Sequence, residues 1–141
     1  MSHTIETVQG IYQAFGRGDV AAILATLSPQ VEWEGWQRPS SLQEAGHPLF
    51  ARRTGPQQVQ DFFAEVGRNE QIHDFQVLDI FGSGCQVAAE VLVESTWKPS
   101  GQKVRDEEIH LWTFGEDGRI TRFRHYVDTA RHLRAAGMAK A

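Results

Sequence analysis

From Asp74 to Val127 the chain is written almost throughout in the two-residue alternation of β-strands, and this stretch decides most of what it can fold into. The strand-like runs are Asp74 to Phe81, Cys85 to Trp97, Lys103 to Phe114 and Arg119 to Val127. Gly82-Ser83-Gly84, Pro99-Ser100-Gly101 and Gly115-Glu116-Asp117-Gly118 separate them. Short glycine-containing breaks of this kind join antiparallel neighbours, because glycine takes the positive φ that hairpin turns need. A meander of long strands is expected.

The upstream half follows a different period. Ile5, Val8, Ile11, Tyr12 and Phe15 fall three and four apart and mark one helical face. Gly16 and Gly18 stop that helix, and Asp19 caps a second one carrying Val20, Ile23, Leu24 and Leu27, ended by Ser28-Pro29. Val31 to Trp36 alternates as a short, half-buried strand. Gln37 to Thr54 has little periodicity and is long for a connection, so it reads as a lid, a binding loop or a disordered segment. Gly55-Pro56 opens a helix whose stripe is Val59, Phe62, Phe63 and Val66. Thr129 to Ala136 is a closing helix, ended by Gly137. Helices segregated from an antiparallel sheet predict one α+β domain over residues 1–141.

Charge and cysteine content exclude several function classes. Fourteen Lys and Arg stand against 18 Asp and Glu, a formal charge of −4. There is no global basic footprint for nucleic acid or an anionic membrane. Cys85 is the only cysteine, which excludes an intrachain disulfide and argues for a reducing compartment. No apolar run approaches the ~20 residues of a membrane span. Met1 to Ile5 lacks the basic and apolar regions of a signal peptide, so a cytoplasmic location is expected. His47, His73 and His132 show no metal-ligand spacing, and there is no phosphate loop or nucleophile elbow. No metal and no cofactor are expected.

Three stretches then take on a familiar order. Ile11-Tyr12-Gln13-Ala14-Phe15-Gly16-Arg17-Gly18-Asp19 leads into Val31-Glu32-Trp33-Glu34. Gly55 to Phe63 follows. His110-Leu111-Trp112-Thr113-Phe114, Asp117-Gly118-Arg119-Ile120 and Arg124-His125-Tyr126-Val127-Asp128-Thr129 complete the set. Together they resemble the SnoaL-like branch of the nuclear transport factor 2-like superfamily, whose relatives include ketosteroid isomerases and polyketide cyclases. The resemblance implies a cone: a strongly curved antiparallel sheet wrapped around the N-terminal helices, with one internal pocket. It also implies a homodimer formed through the outer face of the sheet. The fold hosts isomerases, cyclases, dehydratases, epoxide hydrolases and non-catalytic binding modules, so the site has to decide the function.

The steroid isomerase roles do not carry over onto this chain. In the best register the oxyanion tyrosine falls at Ile11, one place before Tyr12. The base falls at Gly35, one place after Glu34, and the second oxyanion acid falls at His110.

Other residues offer the chemistry instead. Asp106, Glu108, His110, Trp112 and Phe114 share a strand face. If Phe114 is core, that face lines the cone and His110 is an acid–base candidate, or else a core histidine bonded to one partner. In the last run, Ile120, Arg122, Arg124, Tyr126 and Asp128 read as the pocket face, which places His125 on the opposite side at a dimer surface. Asp128 reads either as a pocket carboxylate or as the N-cap of the closing helix. The expected catalytic pair is therefore Asp128 and His110. Tyr12, Trp33, Glu108, Trp112, Arg124 and Tyr126 are expected to bind substrate, with the tryptophans as walls for a flat ring.

The chemistry expected is acid–base catalysis of the isomerase, cyclase or dehydratase type, on a small hydrophobic cyclic or polyketide-like molecule. The alternatives are a non-catalytic ligand-binding module and a protein-interaction module. A weaker one is an epoxide-hydrolase arrangement of Asp106, Arg124 and Asp128.

Overall fold

A computed structural model describes residues 2–139. The helix α1 (Ser2–Gly16) buries Val8, Ile11 and Ala14 on the face that the spacing predicts. Asp19 caps α2 (Val20–Leu24), its carboxylate accepting from Ala22 N at 3.1 Å. This helix is shorter than the sequence suggests. Leu27 already belongs to strand β1 (Leu27–Trp33), because Ile120 N donates to Thr26 O at 3.0 Å and draws the chain into the sheet.

The remaining elements are α3 (Ser41–Glu44), β2 (Arg53–Thr54), α4 (Pro56–Asn69), β3 (Glu70–Ser83), β4 (Gln86–Trp97), β5 (Gln102–Phe114), β6 (Ile120–Tyr126) and α5 (Thr129–Ala135). The strands form one curved, unclosed sheet in the order β2-β1-β6-β5-β4-β3. Every pairing is antiparallel except β1 with β6, which is parallel. Helices lie on one side of this sheet, in the α+β cone that the sequence predicts.

Strands β4 and β5 keep strict alternation. Their inward pairs are Ala89↔His110, Val91↔Glu108 and Val93↔Asp106. The outward pairs include Ala88↔Leu111 and Glu90↔Ile109.

Strand β6 departs from the expected register. Phe114 pairs with Ile120 while Thr113 pairs with Arg122, so Thr121 has no counterpart. One extra residue in a strand turns everything beyond it to the other face. Ile120 points inward, and after the bulge Phe123 and His125 do so in place of Arg122, Arg124 and Tyr126.

The segment from Gln37 to Thr54 is a plug, not an open lid. Ser40 and Gln43 form a reciprocal capping box on α3. Leu42, His47, Leu49 and Phe50 are all buried. Among the described residues, no helix is long and apolar enough to cross a membrane.

Candidate active site

The helices and the inner sheet face line a half-open pocket of about 90 Å³. Its wall is mainly aromatic. Trp33 stacks on Phe123 at 4.1 Å between ring centroids, and Trp112 meets Phe123 at 4.4 Å. The polar groups on the wall are Tyr12, Glu70, Glu108, His110, His125 and His132. No lysine or arginine lines it.

His110 and His125 are direct cross-strand partners on β5 and β6, so both rings project from the same face. The ring centroids are 5.7 Å apart. A buried glutamate backs each of them.

The first dyad belongs to a chain of hydrogen bonds. Trp112 Nε1 donates to the Tyr12 oxygen at 3.2 Å. The Tyr12 hydroxyl lies 2.7 Å from His110 Nδ1, and His110 Nε2 lies 2.9 Å from Glu108 Oε1. With an acceptor at Nε2, the neutral ring is the Nε2–H tautomer and Nδ1 takes the Tyr12 proton. Burial pushes the Tyr12 pKa up, so the phenol stays neutral. Burial works to raise Glu108 as well, but hydrogen bonding to His110 and the nearby His132 outweighs it and holds Glu108 below the usual carboxylate range.

The second dyad was not visible as a pair in the sequence. Glu34 is fully buried and carries φ +60°, the only positive φ outside glycine among the described residues. Such a conformation costs on the order of 1–3 kcal/mol and survives only where the surroundings impose it. Here Gln43 Nε2 donates to Glu34 O at 3.1 Å, and Arg124 Nε donates to Gly35 O at 2.8 Å. A side chain on Gly35 would meet Glu32 Cβ at 2.9 Å. The turn carries the Glu34 carboxylate alongside β6, where Oε1 accepts from His125 N at 3.1 Å. Oε2 lies 2.7 Å from His125 Nδ1 in a contact too bent for a hydrogen bond, so the attraction is electrostatic. Burial would lower the His125 pKa, but the Glu34 charge outweighs it and raises it. The Glu34 charge therefore favours the imidazolium form of His125 on the cavity wall. The reading that placed it at a dimer surface is corrected by the bulge at Thr121.

Below this pair, Asp106 on β5 and His132 on α5 close the floor. His132 Nε2 lies 2.7 Å from Asp106 Oδ2 and 3.7 Å from Glu108 Oε2. Donor atoms of Asp106, Glu108 and His132 lie within 4.8 Å of one another, so they could also hold a cation. His47 packs edge-on against His132, its own pKa lowered to about 4 by burial and then by the charges of His132 and His125.

Tyr12, Trp33, Glu108, His110 and Trp112 thus come together as the sequence suggests. Asp128, Arg124 and Tyr126 do not. Asp128 caps α5, where its Oδ1 accepts from Arg131 N at 3.2 Å and its Oδ2 from Arg131 Nε at 2.9 Å. Its side chain is 44% exposed and stands outside the cavity. Arg124 lies over the outer Trp36 ring at 4.8 Å, and Tyr126 packs edge-on against the same ring. The Asp106, Arg124 and Asp128 arrangement therefore does not form around one space. Replacing Asp128 by alanine is expected to lower stability through the lost cap. Urea unfolding should show that loss, while ligand binding in the cavity stays unchanged.

Comparison with known proteins adds the following. The family model described as SnoaL-like domain matches residues 8–123. A search of curated proteins gave no match. Among solved structures, an NTF2-like protein of unknown function from Burkholderia pseudomallei is 27% identical over 96% of this chain and 98% of its own, with TM-score 0.77. An LEH-like epoxide hydrolase from M. tuberculosis is 18% identical over 96% and 90%, with TM-score 0.69. A candidate SnoaL-like polyketide cyclase from Mesorhizobium loti is 20% identical over 86% and 96%, with TM-score 0.66. At those identities the last two show likeness of fold alone.

Proposed function

The chain belongs to the SnoaL-like domain family, and from that premise we propose that its own side chains catalyse proton transfer on a neutral, ring-sized carbonyl compound or alcohol. The observation that carries this reading is the pair of cross-strand imidazoles, 5.7 Å apart on an apolar wall and each backed by a buried glutamate. The names of the two remoter structural relatives, an epoxide hydrolase and a candidate polyketide cyclase, lend support to pocket chemistry on organic molecules.

The reading assigns the two dyads opposite roles, one as acid and one as base. His125 acts as the acid, giving its Nε2 proton to the substrate oxygen. Tyr12, His110 and Glu108 act as the base. A proton leaving carbon passes to the Tyr12 oxygen while the phenol proton passes to His110 Nδ1. The imidazolium formed there lies 2.9 Å from Glu108. The product is the enol, and reversal with protonation at another carbon completes an isomerisation. Where the oxygen is a leaving hydroxyl, the same two transfers complete a dehydration.

Size and charge narrow the substrate. An engineered apolar cavity of ~150 Å³ holds benzene. The 90 Å³ here is smaller, so even a single ring reaches towards the open side of the pocket, and a larger polyketide would require the walls to move. A wall without lysine or arginine offers no counter-charge to a carboxylate or phosphate beyond histidines that already face glutamates.

The test needs no knowledge of the natural substrate. The protein is expected to accelerate exchange of the α-hydrogens of cyclohexanone for deuterium, followed by NMR in D₂O. A rate equal to that of buffer, in the presence of bound ketone, overturns the reading and leaves a binding module.

We also propose a homodimer through the outer sheet face, in the cytoplasm. Phe81 is 52% exposed there, and Ile109 and Tyr126 form an exposed cross-strand pair. The proposed interface would cover these exposed apolar side chains. Sedimentation should give twice the protomer mass, and Phe81→Glu should give a monomer.

A further inference from the structure

One buried titratable group on the cavity wall takes no part in the proton transfer above. Glu70 ends α4 as its C-cap residue and begins β3. Its backbone is already extended, with φ −117° and ψ 134°, so strand alternation sets in at once. Gln71 turns out to solvent, while Glu70 and Ile72 turn to the cavity. Ser95 on the paired strand β4 lies 3.2 Å from Glu70 Oε1 and donates to it. The second carboxyl oxygen has no hydrogen bond to protein among the described residues, and neither does Glu70 have a lysine or arginine partner there.

Glu70 also borders a second, smaller void of about 10 Å³, shared with His47, Ser95, Trp97 and His132. That is room for about one water molecule. The carboxyl group therefore stands between an apolar chamber and a polar niche, with one oxygen fixed and the other open.

A carboxyl oxygen that faces a cavity without a protein partner is free to bond a water molecule or a polar group of a ligand. We propose that Glu70, held by Ser95, is a second oxygen-binding point of the cavity, and that the natural ligand is a neutral ring carrying two oxygens, one for the histidine pair and one for Glu70. The proposal rests on the proton-transfer reading for the first oxygen, but Glu70 itself is a specificity residue and not part of the acid–base pair.

The groups facing Glu70 bear on its charge. They are Ser95 from β4, Glu108 from β5, His125 from β6, His132 from α5 and His47 from the segment after α3. Burial first, and the Glu108 charge next, hold its pKa above the usual carboxylate range, against the opposing charges of His132 and His125 and the Ser95 bond. The proposal takes the protonated carboxyl as the binding form, a donor to a carbonyl oxygen.

Matched probes test this without the natural ligand. Cyclohexanone and cyclohexane-1,4-dione differ by one carbonyl on the same ring. Binding to the full chain would be followed by NMR shifts of the Trp112 indole. The dione is expected to bind wild type about five to ten times more tightly, the worth of one hydrogen bond. In Glu70→Ala that advantage should fall to about one, with cyclohexanone affinity kept. In Glu70→Gln, whose amide also donates, it should persist. The advantage should shrink at high pH in wild type as the carboxyl ionises, and stay flat in Glu70→Gln.

An advantage that survives Glu70→Ala overturns the proposal, as does the absence of any advantage in wild type. The readout is binding alone, so a failure of the proton-transfer reading shows separately, as ketones that bind without α-hydrogen exchange. Should Glu70→Ala not fold, Glu70→Gln and its pH profile carry the test.

Discussion

Replacing His125 by asparagine is expected to lower the rate of α-hydrogen exchange by 10²–10⁴-fold, the usual worth of one positioned acid or base. His125 is the one imidazole on the cavity wall whose Nδ1 faces a fully buried carboxylate, at 2.7 Å. That contact fixes which nitrogen is left for the substrate. Asparagine keeps a polar side chain beside Glu34 but has no proton to give in the neutral range. Ketone affinity, measured by NMR shift, should change little, so the loss falls on the chemical step.

Stability complicates this variant. Removing the imidazolium leaves Glu34 buried without its counter-charge, a change that costs about 3–5 kcal/mol in other buried pairs. The double variant Glu34→Gln with His125→Asn removes both charges and should recover most of that stability, but none of the rate. Glu34→Gln alone separates the roles further. Activity needs His125 protonated, so it declines as pH rises through the raised His125 pKa. Taking away the Glu34 charge lowers that pKa and should move the alkaline limb of the pH profile towards acid. An unmoved limb, or a His125→Asn protein as fast as wild type, would return the acid role to another group.

The site was legible where a single strand carried it and obscure where two distant segments had to meet. Asp106, Glu108, His110 and Trp112 follow from unbroken alternation in β5, which nothing interrupts until Thr113. Tyr12 followed from helical spacing. Strand β6 misled because a bulge is one residue long, and Thr121 differs in no compositional way from a paired threonine. That one residue moved Arg124, Tyr126 and Asp128 out of the site and brought His125 in. Glu34 stood in a plain alternating run, and only its left-handed turn beside β6 gave it a partner 91 positions away. Glu70 lay at the junction of a helical and a strand period, where neither pattern assigns a face. The Gln37–Thr54 segment did contain a signal. Ser40-Ser41-Leu42-Gln43 has the S-x-x-Q spacing of a capping box, and the structure shows both of its hydrogen bonds.

Replacing Asp106 by asparagine is expected to cost stability at pH 6 and much less at pH 10. His132 and Asp106 side chains are 8% and 1% exposed, so neither charge is screened by solvent. Burial disfavours the imidazolium, but Asp106 at 2.7 Å and Glu108 at 3.7 Å outweigh it and hold the His132 pKa up to about 9, from an ordinary 6.5. A folded-state pKa above the unfolded one contributes stability that is fully present below pH 6.5 and lost as pH rises through 9. That shift is shared between Asp106 and Glu108, and burial together with the Glu108 charge holds the Asp106 carboxyl itself above its ordinary range, so the Asp106 share is only part of it. Asparagine keeps an oxygen for Asp128 N, which donates to Asp106 at 3.1 Å, so the start of α5 retains its tie. What goes is the charge opposite His132. Urea midpoints of both proteins from pH 6 to 10 should therefore converge as wild type loses its advantage on the alkaline side. Parallel curves would mean that Asp106 and His132 are joined by a neutral hydrogen bond. Convergence would also bear on the site, because His132 lines the cavity as well as the floor cluster. The charge that pins α5 in place is then part of the field in which Glu108 and Glu70 meet a ligand.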